Sequence, residues 1–256
     1  MRIAIVTGAS SGMGSEFVRE IVKVHREIDE VWALARHRDK LLELVKKYGI
    51  KVRPMPVDLT DEKDINFLKQ TLAAENPSVS LLVNSAGLGI IGNIAEVPIE
   101  DTLSMIDLNI RALTEVTVSV LPFMKRGGRI VNLASSAAFM PQTGFGVYAA
   151  SKSYVLSFSR ALGMELRPRG ISVTSVCPGP VKTAFFNTAE KHRKSPAWKE
   201  RFMADPRAVV HLAMKDAYNR RELSVYSPSM KAGAVLMKIL PHSFLLNVMQ
   251  AFKTIW

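Results

Sequence analysis

Seven short apolar runs recur along the 256-residue chain, each followed by a stretch long enough to hold a helix. They cover residues 2–7, 30–35, 51–57, 81–84, 129–134, 172–177 and 223–227, and most are rich in Val and Ile on nearly every position rather than on every second one. A strand with that pattern buries both of its faces, which happens where helices cover a parallel sheet on either side. The stretches between carry helical spacing, such as Val18, Ile21 and Val22 in the first and Leu103, Ile106, Ile110 and Leu113 in the fourth. Alternation of this kind predicts an α/β fold, a doubly wound and mostly parallel seven-stranded sheet with helices on both faces. No repeat, low-complexity stretch or linker divides it, so residues 1–256 are expected to form a single domain.

A composition that is 48% hydrophobic and 22% charged suits an ordinary globular core and excludes disordered and fibrous chains. The single cysteine, Cys177, rules out an internal disulfide and a cysteine-based zinc cluster, and it suits a reducing compartment, so a cytoplasmic location is expected. The apolar run after Arg2 is too short for a signal-peptide core. The net charge of +11 is uneven: residues 1–181 contribute +3 and residues 182–256 contribute +8. That excess attracts an anionic ligand or surface, but it contains no dense basic run with interleaved aromatic residues, so no nucleic-acid partner is expected.

The segment Thr7-Gly8-Ala9-Ser10-Ser11-Gly12-Met13-Gly14 follows the first strand directly and opens a helix. Glycine there lets the backbone approach a pyrophosphate closely, and the free N–H groups at the helix start attract its charge. Gly8, Ser10, Ser11, Gly12, Met13 and Gly14 are therefore candidate dinucleotide-binding residues on a Rossmann-type sheet. The second strand ends at Ala35-Arg36-His37-Arg38, where a site for NAD(H) would offer a carboxylate to the ribose hydroxyls. Guanidinium groups at Arg36 and Arg38 suit a ribose phosphate instead, so NADP(H) is expected in preference to NAD(H).

Tyr148 and Lys152 stand four residues apart, on one face of a predicted helix, so an ammonium can act on a phenol beside it. Together with the glycine loop, Asp58, Asn84-Ser85-Ala86-Gly87, Asn109, Ser135, Tyr148-Ala149-Ala150-Ser151-Lys152 and Pro178-Gly179 with Thr183, the chain resembles the single-domain subgroup of the short-chain dehydrogenase/reductase family from residue 2 to about residue 227. The resemblance implies that Tyr148 is the general acid and base of a carbonyl/alcohol interconversion, that Lys152 holds the nicotinamide ribose and tunes Tyr148, and that Ser135 hydrogen-bonds the reacting oxygen. It makes Asn109 the residue that bends its helix and positions a water; the residue alone is equally read as a helix-interior Asn bonding its own backbone. For the cofactor it implies Asp58 and Leu59 near the adenine, Asn84, Ala86 and Gly87 beneath the adenosine, and Pro178, Gly179, Val181 and Thr183 around the nicotinamide amide. Ser85 and Ala112 depart from the family pattern, which has Asn and Gly there, and neither removes a catalytic group. The expected activity is an NADP(H)-dependent oxidoreductase; the alternative is a non-catalytic NADP-binding sensor or scaffold of the same fold, against which all four catalytic-type residues are intact.

His25, His37, His192, His211 and His242 form no metal-ligand spacing, so no metal centre is expected, and Cys177 reads as a buried small residue. Phe139, Met140, Pro141, Phe145, Phe185, Phe186, Trp198, Phe202 and Met203 flank the catalytic segments. With residues 184–207 as a lid, they are expected to line a cleft for a hydrophobic ketone or alcohol, steroid-like or acyl-chain. Residues 232–256 contain no acid and end with Phe244, Leu245, Val248, Met249, Phe252 and Ile255 at helical spacing. Three placements of this amphipathic extension are open: on the core, against a second subunit of a homo-oligomer, or as a peripheral contact on an anionic membrane. Packing or association is the commoner fate of such a helix.

Overall fold

The computed structural model describes residues 1–194 and 203–247. Strands β1 (Arg2–Thr7), β2 (Glu30–Ala35), β3 (Val52–Pro56), β4 (Ser78–Asn84), β5 (Met124–Leu133), β6 (Ser172–Val176) and β7 (Leu223–Ser224) form one seven-stranded sheet in the order β3-β2-β1-β4-β5-β6-β7. Every neighbouring pair is parallel, as in a Rossmann-type fold. Strands β1 and β2, with the second halves of β4 and β5, are nearly continuous in buried residues because neither face meets water there, whereas the edge strand β3 carries Arg53, Pro54 and Pro56. Ile3, Ala4, Ile5 and Val6 of β1 are all fully buried, their side chains alternating between two separate apolar clusters.

Helices α1 (Gly12–Val24) and α2 (Arg38–Tyr48) cover one face. The other is covered by α3 (Glu62–Glu75), α5 (Leu113–Val120) and α6 (Gly146–Leu166). A further helix, α4 (Ile99–Ile106), leads into α5 through a π-helical turn at Asp107–Ala112. The shared apolar spacing of Leu103, Ile106, Ile110 and Leu113 does not become one buried face. Leu113 is buried, whereas Leu103 and Ile106 are substantially exposed. The π turn inserts an extra residue, which rotates the face of everything beyond it by about 100°.

After β6 the chain forms the short helix α7 (Phe185–Ala189), then α8 (Pro206–Tyr218), which packs against α1, and after β7 the helix α9 (Pro228–Ile239). Val181 and Ala204 form an isolated parallel bridge, reinforced by Lys182 N to Ala204 O at 3.0 Å and Ala204 N to Pro180 O at 2.9 Å. The chain crosses from β3 back over β1 to reach β4, so the connections above β1 and β4 diverge and leave a crevice at the carboxyl ends of the strands.

Candidate active site

A cleft of about 1110 Å³ occupies that crevice. Its floor starts at the turn between β1 and α1, where Gly8 and Gly12 have φ of +64° and +53°. The turn is tight: a Cβ on Gly14 would lie 2.1 Å from the Gly8 carbonyl oxygen, and one on Gly8 would lie 2.8 Å from the backbone of Ala86. Thr7 fixes that second approach, since its Oγ1 accepts from the N–H groups of Ser85 and Ala86, both at 3.1 Å. The result is a bare backbone cradle at the start of α1, which fits the diphosphate of a dinucleotide.

Of the residues expected at this end, Gly8, Ser10, Ser11, Gly12, Met13, Gly14, Arg36, Asp58, Leu59, Ala86, Gly87, Pro178, Gly179, Val181 and Thr183 line the cleft. Arg38 and Asn84 do not. Arg38 starts α2 and is exposed outside the cleft, while His37 and Lys40 line it. Lys40 was not evident from the sequence; its signal is a cation four positions beyond Arg36 across a helix start. Asn84 is buried and donates through Nδ2 to Thr117 Oγ1 at 2.9 Å and Asn132 Oδ1 at 2.8 Å, a tie between β4, α5 and β5. Asp58 accepts from Thr60 N at 2.9 Å and Thr60 Oγ1 at 2.7 Å. Burial opposes its ionisation, but the Thr60 hydrogen bonds and the Arg36 charge outweigh it and hold the carboxyl below its ordinary value.

At the other end Ser135, Tyr148 and Lys152 reach one wall of the same cleft. Ser135 caps a short turn, Ser136–Phe139, with its Oγ accepting from Ala137 N at 3.1 Å. That turn is bolted down by Ser136 N to Pro178 O at 2.8 Å and by Ser153 Oγ to Ala138 O at 3.0 Å. Tyr148 is 8% exposed and Lys152 4%. Lys152 Nζ donates to Leu133 O at 2.8 Å and lies 5.7 Å from the centre of the Tyr148 ring.

Burial sets the titration of both groups. It pushes the Tyr148 phenol up to about 12, with hydrogen bonding to Ser135 opposing, and the Lys152 amine down to about 8. An ammonium beside a phenol can lower it, but Lys152 has no such effect on Tyr148 here, its Nζ being engaged by Leu133 O, and burial governs the phenol. A phenol held neutral is nonetheless the form that can donate a proton. Burial likewise pushes the Cys177 thiol up to about 12, far from a reactive thiolate.

Asn109 sits in the π turn, fully buried, and does not line the cleft. Its Oδ1 accepts from Leu88 N at 2.8 Å, while its Nδ2 donates to Leu88 O at 2.7 Å and Ser151 Oγ at 2.9 Å. Ser151 Oγ in turn donates to Tyr148 O at 2.7 Å. The amide thus joins the loop after β4 to the helix carrying Tyr148 and Lys152, instead of bonding its own helix. Ser151 is a link that sequence reasoning missed, since a buried Ser within a helix carries no signal of its own.

The Tyr148 ring is flanked by Phe145, stacked at 4.2 Å, and Phe185 of α7 at 5.6 Å. Phe145, Phe185 and Phe186 line the cleft together with Leu88, Ile91 and Met230. Phe139, Met140 and Pro141 line a separate cavity of about 290 Å³, and Trp198 and Phe202 lie outside the described residues. No group of three or more His, Cys, Asp or Glu side chains among the described residues could hold a metal ion.

The sequence profile of the family described as short chain dehydrogenase matches residues 2–194. The probable short-chain type dehydrogenase/reductase VdlC of Helicobacter pylori is 32% identical over 242 residues, covering 93% of this chain and 82% of that protein. Sulfoacetaldehyde reductase 2 of Chromohalobacter salexigens is 36% identical over 192 residues, covering 72% of this chain and 74% of that protein. Among solved structures, a short-chain dehydrogenase from Sphingobium yanoikuyae in complex with NADPH superposes with a TM-score of 0.77 at 25% identity, over 94% of this chain and 97% of that one.

Proposed function

Since this chain belongs to the short-chain dehydrogenase family and is an oxidoreductase of that family, we propose that it interconverts a hydrophobic ketone and its secondary alcohol with NADP(H). The observation that carries this reading is the arrival of Ser135, Tyr148 and Lys152 on one wall of a cleft whose other end is the glycine cradle. A nicotinamide cofactor, when bound, supplies or takes up the hydride. In the reducing direction Tyr148 gives its phenolic proton to the carbonyl oxygen as negative charge develops there, and Ser135 steadies that oxygen with a hydrogen bond. Lys152 holds the ribose and replenishes the proton, and Asn109 acts through Leu88 and Ser151 to hold this geometry. Arg36, His37 and Lys40 give the adenosine end three basic side chains, which favour a ribose phosphate.

At the substrate end, apart from Lys152, the lining consists of apolar and neutral polar side chains such as Phe145, Phe186, Ile91, Gln142 and Thr188. An ionised substrate such as the sulfoacetaldehyde named for one relative would find, apart from Lys152, no cation to pair with among the described lining residues of this end, which favours an uncharged, apolar substrate. Residues 184–207, of which 195–202 lie outside the described residues, serve as its lid. Their first part is tethered by Ile91 N to Ala189 O at 2.8 Å and by Asp101, which meets Lys191 Nζ at 2.9 Å and His192 Nε2 at 2.6 Å. The enzyme works as a homo-oligomer, for which Ile99, Leu103 and Ile106 offer an exposed apolar face along α4. Its buried, lone cysteine suits the cytoplasm.

The test is a screen of lipophilic ketones against the purified protein, following NADPH absorbance. Turnover of a bulky apolar ketone is expected with NADPH well above NADH. Equal rates with both cofactors would sink the NADP(H) assignment, and equal turnover of small polar sugars would sink the apolar substrate.

A further inference from the structure

We propose that residues 228–247 dock this protein on an anionic lipid bilayer, with Val235, Leu236, Ile239 and Phe244 entering the headgroup boundary. Helix α9 has one side seated on the protein: Ala234 is buried, and Met230 and Met237 pack into the cluster around Phe139, Leu156 and Val225. Its other side is bare. Val235 is 57% exposed, Leu236 54% and Ile239 73%, at the spacing of a single helical stripe, and Phe244 beyond the Pro241 break is 54% exposed. Among the described residues these four side chains do not pack on the core; Val248, Met249, Phe252 and Ile255 of the same extension lie outside the described residues. A run of exposed apolar side chains of this kind calls for a covering surface.

Charge decides what covers it. From Leu223 to Trp256 the sequence contains Lys231, Lys238 and Lys253 and no Asp or Glu. Lys231 is exposed one turn before Val235, where its stem can follow the apolar stripe while the ammonium meets a headgroup. A second copy docking through the same face about a two-fold axis would bring identical cationic patches together with no acid of this segment to neutralise them. Anionic headgroups carry the complementary charge. Among the described residues no helix is long and apolar enough to cross a membrane, so the segment lies along the surface.

The placement has a consequence for the cleft. Met230, on the first turn of α9, lines it, so the docking helix is also part of the cleft wall. Entry of a bilayer-dissolved ketone beside that helix rests on the function proposed above; the docking itself does not.

The experiment is co-sedimentation of the full chain with vesicles of phosphatidylcholine containing phosphatidylglycerol, and with vesicles of phosphatidylcholine alone. Binding is expected only to the first, weakening with added salt. Lys231→Ala should lower affinity about five-fold, the effect of one cation near an anionic surface. The double variant Val235→Asp with Ile239→Asp should abolish binding while its thermal melt is unchanged, since both side chains are exposed. Absence of binding to phosphatidylglycerol vesicles, or equal binding by the double variant, would overturn the proposal. So would a fall in the sedimenting mass of the double variant without lipid, which would make this face a subunit contact.

Discussion

At Lys152 the fold holds an amine where water scarcely reaches it, with one carbonyl as partner. With its value lowered from 10.5 to about 8, the folded protein releases this proton before the unfolded chain does. Stability therefore rises with pH from about 8 to 10.5 on account of this group, and the burden is largest below 8. The buried phenol acts oppositely: its value is raised from 10.0 to about 12, so its contribution is intact below 10 and is lost as pH climbs toward 12. Lys152→Met is accordingly expected to be more stable than the parent at neutral pH, with the advantage shrinking by pH 10, as urea denaturation at the two pH values will reveal. Tyr148→Phe should lose about 10²- to 10⁴-fold in kcat while retaining NADPH affinity by fluorescence titration, the range for removing a general acid. Asn84→Ala strips Asn132 Oδ1 of a buried donor, which should cost about 1–3 kcal/mol in denaturation and leave cofactor binding nearly unchanged, because Asn84 stands behind the cleft wall.

Among the elements, the turn between β1 and α1 tolerates least. Gly14→Ala must push the Gly8 carbonyl aside, whereas at Gly49, with φ of +74°, ψ of −161° and open space around it, Ala meets backbone strain alone, of about 1–3 kcal/mol. Thermal melts with and without NADP should show Gly49→Ala still stabilised by ligand and Gly14→Ala not. The strands and this turn were legible in the sequence because continuous Val and Ile runs and a glycine loop report local conformation directly. The path of α4 was not: a π turn leaves no mark in composition, so Leu103 and Ile106 shared a spacing with Leu113 and yet not its burial. Arg38 and Lys40 illustrate the same limit, since which of two cations near a helix start faces the cleft depends on where the helix begins. The link from Asn109 through Ser151 to Tyr148 joins residues 42 apart and less, contacts that only the folded chain creates.

On the scale of the whole molecule, the order of strands places two groups of residues at one end of the sheet, the glycine cradle above β1 and the wall of Ser135, Tyr148 and Lys152 above β5 and along α6. Among the described residues, exposed apolar faces run along α4 and along α9. They should respond to different reagents: Leu103→Glu is expected to reduce the oligomer in analytical ultracentrifugation without altering vesicle binding. The bridge between Val181 and Ala204 has its own implication. Because the chain leaves Val181 and returns beside it at Ala204, both outside the sheet, a different sequence joined between those two anchors would leave the strands as they are while exchanging the side chains, Phe185 among them, that stand against Tyr148.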